Sequence, residues 1–141
     1  MAKRDPNRFQ VYVIEIGTQW CDVVAPGLPE GQRCFYVGQT GERLTDRYKE
    51  HRTGRPFKKG RLIQPGKVFK RIREENGGET LRRNVDTFLL RSMTREYGTM
   101  SKAESEQLEE ALIVYLRQNG HAVYPDGGAK DLVPFDTYLQ S

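Results

Sequence analysis

The segment RFQVYVIEIG, Arg8 to Gly17, constrains the fold more than any other stretch of the chain. It is rich in β-branched and aromatic residues, which favour extended backbone. Successive side chains of a strand point to opposite faces. Here both sets are largely apolar, with Phe9, Val11 and Val13 on one and Tyr12, Ile14 and Ile16 on the other. A strand that is apolar on both faces needs cover on both, so it belongs at the centre of a layered sheet. A loop carrying Pro26, Gly27, Pro29 and Gly31 follows, then a second apolar stretch, CFYVG, from Cys34 to Gly38. The two stretches predict an antiparallel hairpin with a long tip.

Gly38 and Gly41 punctuate the exit from that hairpin, and Glu42–Arg52 predicts a short helix. PGKVFKRIREENGG reads as a helix stopped by Gly77 and Gly78. NVDTFLLRSM is compatible with a third strand or a second short helix, and its periodicity does not choose. Further on, Ser101 and Glu104 form a capping box and Gly120 supplies a stop. Between them Leu108, Ala111, Leu112 and Tyr115 recur at helical spacing. The tail, HAVYPDGGAKDLVPFDTYLQS, has scattered apolar residues and turn signals and is expected to pack along the domain. The whole predicts one α+β domain over residues 1–141. Its core runs from about 8 to 120, with a basic insert at about 53–100 and a tail at 121–141.

Charge is unevenly distributed. From Arg43 to Arg73 there are twelve Lys or Arg residues and two acids, Asp46 and Glu50. That segment is +10 against a total of +4, so the remainder sums to −6. Such concentration is the electrostatic footprint of a phosphate-binding face. A solvated surface would carry the same run. The interleaved Tyr48, Phe57 and Phe69 favour nucleic acid, with Arg43, Lys49, Arg52, Arg55, Lys58, Lys59, Arg61, Lys67, Lys70 and Arg71 as backbone contacts. No apolar run approaches the roughly 20 residues of a membrane span, and the N-terminus lacks a signal-peptide core, so no membrane partner and a cytoplasmic location are expected. Cys21 and Cys34 stand apart from each other and from histidines, which predicts free thiols rather than a zinc site.

Several residues are candidates for chemistry. Tyr12 and Tyr36 share a face if the two strands pair, either as core tyrosines or as hydroxyl donors at a site. In the short helix Leu44, Arg47, Tyr48 and His51 fall at i, i+3, i+4 and i+7, so Arg47 and His51 lie on one face. An inward-facing arginine needs an anion, which is either a phosphate or a carboxylate such as Glu15 or Glu109. Glu109 lines up with Leu112, Ile113 and Leu116, at the margin of an apolar stripe. That position suits a ligand for a cation or a glutamate reaching outward to solvent. Together the set suits phosphodiester hydrolysis. A hard divalent ion on one carboxylate would neutralise developing charge, an arginine would stabilise the transition state, and a tyrosine or histidine would act as general base.

These elements resemble the GIY-YIG nuclease family. The two tripeptides are Gln10-Val11-Tyr12 and Tyr36-Val37-Gly38, followed by Arg47 and His51 in DRYKEH and by Glu109 ahead of Ile113 and Leu116. The resemblance covers about Arg8 to Gly120, with the middle poorly matched. It implies a small three-stranded antiparallel sheet flanked by helices, and one divalent ion, Mg2+ or Mn2+, on Glu109. It further implies Tyr12 and Tyr36 bracketing the attacking water, Tyr12 as base, and Arg47 and His51 at the phosphate of DNA. There are departures. Gln10 stands where the family has glycine, the hairpin loop is long, and the asparagine that often follows the glutamate helix has no clear counterpart near Asn119 or Tyr124-Pro125. Sequence specificity then falls to the insert, to a homodimer or to a partner protein. Two other readings share the composition: a catalytically silent nucleic-acid-binding module on the same fold, and a domain whose basic face binds an acidic protein.

Overall fold

Strand β1, Gln10–Ile16, is the inner strand its two apolar faces require. The computed structural model describes residues 5–55, 67–90 and 97–125. Within them β1 is followed by helix α1 (Thr18–Val24), strand β2 (Cys34–Thr40), helices α2 (Leu44–Thr53) and α3 (Lys67–Glu75) and strand β3 (Thr87–Leu89). Helix α4 (Lys102–Gln118) and strand β4 (Ala122–Pro125) complete them. The strand order is β3-β1-β2-β4. β1 pairs antiparallel with β2, with Tyr12 opposite Gly38 and Ile14 opposite Tyr36. It also pairs antiparallel with β3, so NVDTFLLRSM contributes a strand and not a helix, its last three residues lying outside the described ones.

The architecture is α+β, but the sheet is four-stranded and mixed, which corrects the expectation of three antiparallel strands. β4 lies parallel to β2, from Cys34 opposite Ala122 to Val37 opposite Pro125. Gly120, at φ 86°, ends α4 in the left-handed conformation that glycine adopts without steric cost, and turns the chain back along the sheet. The following AVYP buries Ala122, Val123 and Tyr124, and its proline suits an edge position. The first residues of the expected tail are thus part of the sheet. The long hairpin tip also contains a helix, α1, which buries Cys21 and Val24. Both cysteines are buried and free.

Two apolar layers sandwich the sheet. On one face Tyr12, Ile14, Ile16, Cys34, Tyr36 and Tyr124 pack with Cys21 and Val24 of α1, Leu44 and Tyr48 of α2, and Val68, Phe69 and Ile72 of α3. On the other, Val11, Val13, Phe35, Val37 and Val123 pack with Leu112, Ile113 and Leu116 of α4. Each large side chain so buried contributes about 1.5–3 kcal/mol. The capping box of α4 is present in both directions, Glu104 N–H to Ser101 Oγ and Ser101 N–H to the Glu104 carboxylate, each at 3.2 Å. The buried stripe of α4 is the one through Leu112, Ile113 and Leu116. Ala111 and Tyr115, expected inside, face solvent, and Tyr115 is 55% exposed. No helix among the described residues is long and apolar enough to cross a membrane.

Candidate active site

Alternation along β1 and β2 puts Tyr12 and Tyr36 on the same sheet face as diagonal neighbours, their ring centroids 6.4 Å apart. Tyr12 faces Gly38 across the strand pair, and the glycine is there for room. A Cβ on Gly38 would lie 2.5 Å from the Tyr12 hydroxyl and 2.6 Å from Cζ. Helix α2 crosses over this face and delivers His51 from its last turn. The Tyr12 hydroxyl and His51 Nε2 are 2.8 Å apart, a hydrogen bond in the buried interior. His51 is boxed by aromatic rings, with Tyr36 edge-on at 5.0 Å and Phe69 of α3 stacked at 4.6 Å. Its imidazole pKa is held well below the ordinary histidine value, by burial first and then by the charges of Arg47 and Arg73. The ring is therefore neutral at physiological pH.

Arg47 lies one turn before His51, with its side chain 13% exposed and Nη1 3.5 Å from Glu50 Oε1. A carboxylate neighbour of Arg47 is Glu50, itself fully buried, which spacing had not singled out. Glu15 is taken by Arg33, whose Nη1 donates to Oε2 at 2.7 Å. Tyr48 holds α2 in place by hydrogen-bonding the Thr87 hydroxyl at 2.8 Å and its carbonyl at 3.0 Å. Burial raises the Tyr48 phenol pKa.

Tyr12, Tyr36 and His51 thus meet, and Arg47 adjoins them on the same helix. Glu109 comes from a different element. It is half-buried on α4, the helix that packs against the opposite face of the sheet. Both parts nonetheless approach the outgoing end of β2. Tyr12 pairs with Gly38, while Ser105, one turn before Glu109, donates its hydroxyl to Gln39 Oε1 at 2.6 Å. Among the described residues no group of three or more His, Cys, Asp or Glu converges. A partly exposed carboxylate outside such a group fits an ion that is otherwise hydrated, and does not fit a closed multi-ligand centre.

Of the backbone-contact candidates, Arg43, Lys49, Arg55, Lys70 and Arg71 are exposed, Arg71 lying 3.6 Å from Glu75. Arg52 is turned inward, its guanidinium 5.2 Å over the Tyr48 ring and donating to the Leu81 carbonyl at 3.2 Å. Lys58, Lys59 and Arg61 lie outside the described residues, as does the side chain of Lys67. Sequence reasoning missed Glu50, Phe69 and Arg73, whose Nη1 donates to the His51 carbonyl. Phe69 had a signal, the Val68, Phe69, Ile72 spacing of an apolar stripe, but nothing local said which face it would meet. No protein-family model, curated protein or solved structure matches the chain.

Proposed function

We propose that the protein is a cytoplasmic, metal-dependent DNA endonuclease with a single GIY-YIG-like domain. The observation that carries this reading is the buried hydrogen bond between Tyr12 and neutral His51. With the proton of the imidazole on Nδ1, Nε2 accepts the phenol proton, so Tyr12 gains phenolate character. In that arrangement it takes a proton from water as the water oxygen attacks phosphorus and the bond to the leaving oxygen breaks. The leaving oxygen is protonated from solvent. Arg47 binds the non-bridging oxygens, with Glu50 orienting its guanidinium beforehand. Glu109 would hold one Mg2+ or Mn2+, which when bound neutralises charge on the phosphate and leaving oxygen. DNA laid across the Gly38–Thr40 end of β2 would reach both sheet faces, with Arg43, Lys49 and Arg55 on its backbone.

One observation favours a second reading, a silent nucleic-acid-binding module: Tyr12, Tyr36 and His51 are each no more than 1% exposed. Supercoiled plasmid incubated with and without Mg2+ or Mn2+ separates the two. The nuclease nicks only with metal, and Glu109→Ala and Arg47→Ala abolish nicking while leaving the fold intact. Plasmid that is bound by the wild-type protein and never cut, on intact or branched substrates, establishes the module.

A further inference from the structure

The C-terminal end of α2 meets the loop leading into β3, and arginines gather at that junction. The Leu81 N–H donates to the Arg52 carbonyl at 3.0 Å, and Arg52 Nη1 returns a bond to the Leu81 carbonyl at 3.2 Å. Arg82 and Arg83 follow, both exposed. Asp86, buried beneath them, accepts from the Arg82 N–H at 2.8 Å, Trp20 Nε1 at 2.9 Å and Gln19 Nε2 at 3.1 Å. Burial alone would raise the Asp86 carboxyl pKa, but these donors outweigh it and hold the group below the usual range. Asn84, at φ 63°, donates its N–H to the Thr87 carbonyl at 2.8 Å. A loop pinned at so many points has its ordering cost already met before any ligand arrives.

What the loop presents is positive charge with little to oppose it. Arg83 forms a backbone bridge with Thr87, the residue that Tyr48 grips, and Arg52 lies over the Tyr48 ring. Arg52 Nε is buried and lacks a hydrogen-bond partner. Arg82 is 3.6 Å from Asp86, yet its side chain is 72% exposed and that carboxylate already has three other donors. Burial and then the charge of Arg83 lower the Arg52 pKa, with Tyr48 opposing. Arginines gathered at one junction, one of them with a buried unpartnered donor, are costly unless an anion offsets their charge. Phosphate oxygens match their forked donors bidentately.

We propose that Arg82 and Arg83, which lie outside the Arg43–Arg73 run, form with Arg52 a clamp for a phosphate of the nucleic-acid backbone. The inference rests on the nucleic-acid reading above but not on cleavage. Binding of a short labelled DNA duplex, without divalent metal, is measured across a salt series for wild type, Arg82→Gln/Arg83→Gln and Arg83→Lys. The double variant should lower the slope of log affinity against log salt by about 1, equally for unrelated sequences. Its thermal midpoint should stay at the wild-type value, and Arg83→Lys should keep the wild-type slope. An unaltered slope in the double variant overturns the clamp, as does polyglutamate competing as well as DNA. Wild type that binds but never cuts leaves the clamp standing and the nuclease reading fallen. Wild type that cuts, beside a double variant of unchanged slope, defeats the clamp alone. If wild type does not bind, both fall.

Discussion

His51 gives the surrounding residues their chemical meaning, because a neutral imidazole can take a proton that an imidazolium cannot. Its burial has a consequence for stability. The unfolded chain protonates this histidine near the ordinary value of about 6.5, whereas the native state does so only well below it. In that window the unfolded state binds more protons, so stability is complete above the unfolded value and is lost as pH falls toward the native one. Unfolding free energy from urea titrations should therefore drop below pH about 6.5, by at most about 1.4 kcal/mol per pH unit for this group. His51→Gln should flatten the drop. His121, shifted the same way by burial and Arg33, leaves a residue of it. A wild-type curve flat across this range would show that His51 charges freely in the folded state. Tyr12, Tyr36 and His51 were legible in the sequence because strand alternation and helical spacing are local rules. The burial of Glu50 was not, since it depends on how α2 and α3 close over the sheet.

At the scale of elements, legibility followed the same division. The ends of α4 were readable because a capping box and a stop glycine act within one turn. Its inward face was harder, because two overlapping stripes compete at similar spacing and only contact with Val11, Phe35 and Val37 chooses between them. β4 escaped notice because its partner, β2, is distant in the chain and AVYP alone is too short to read as a strand. α1 escaped because TQWCDVV is only seven residues long, is rich in β-branched residues and has no side-chain cap to mark its start. The cap also yields an energetic expectation. Ser101→Ala removes the acceptor for the Glu104 amide and should cost about 1 kcal/mol in urea unfolding. No measurable loss would mean that packing of α4 on the sheet holds its first turn without the cap.

At the scale of the whole molecule, the sheet divides the labour. One face carries the Tyr12–His51 pair under α2 and α3, the other carries Glu109 on α4, and α4 is tied to the outgoing end of β2 through Ser105 and Gln39. The GIY-YIG-like reading joins these two faces into one function, with the basic surface holding DNA across that end. Its central claim is that the Tyr12 hydroxyl moves a proton during cleavage. The direct test is single-turnover cleavage by Tyr12→Phe, which removes one oxygen and keeps the ring that fills the core. The account predicts unchanged DNA affinity and a cleavage rate reduced about 10²- to 10⁴-fold. A Tyr12→Phe enzyme that cuts at the wild-type rate would contradict it.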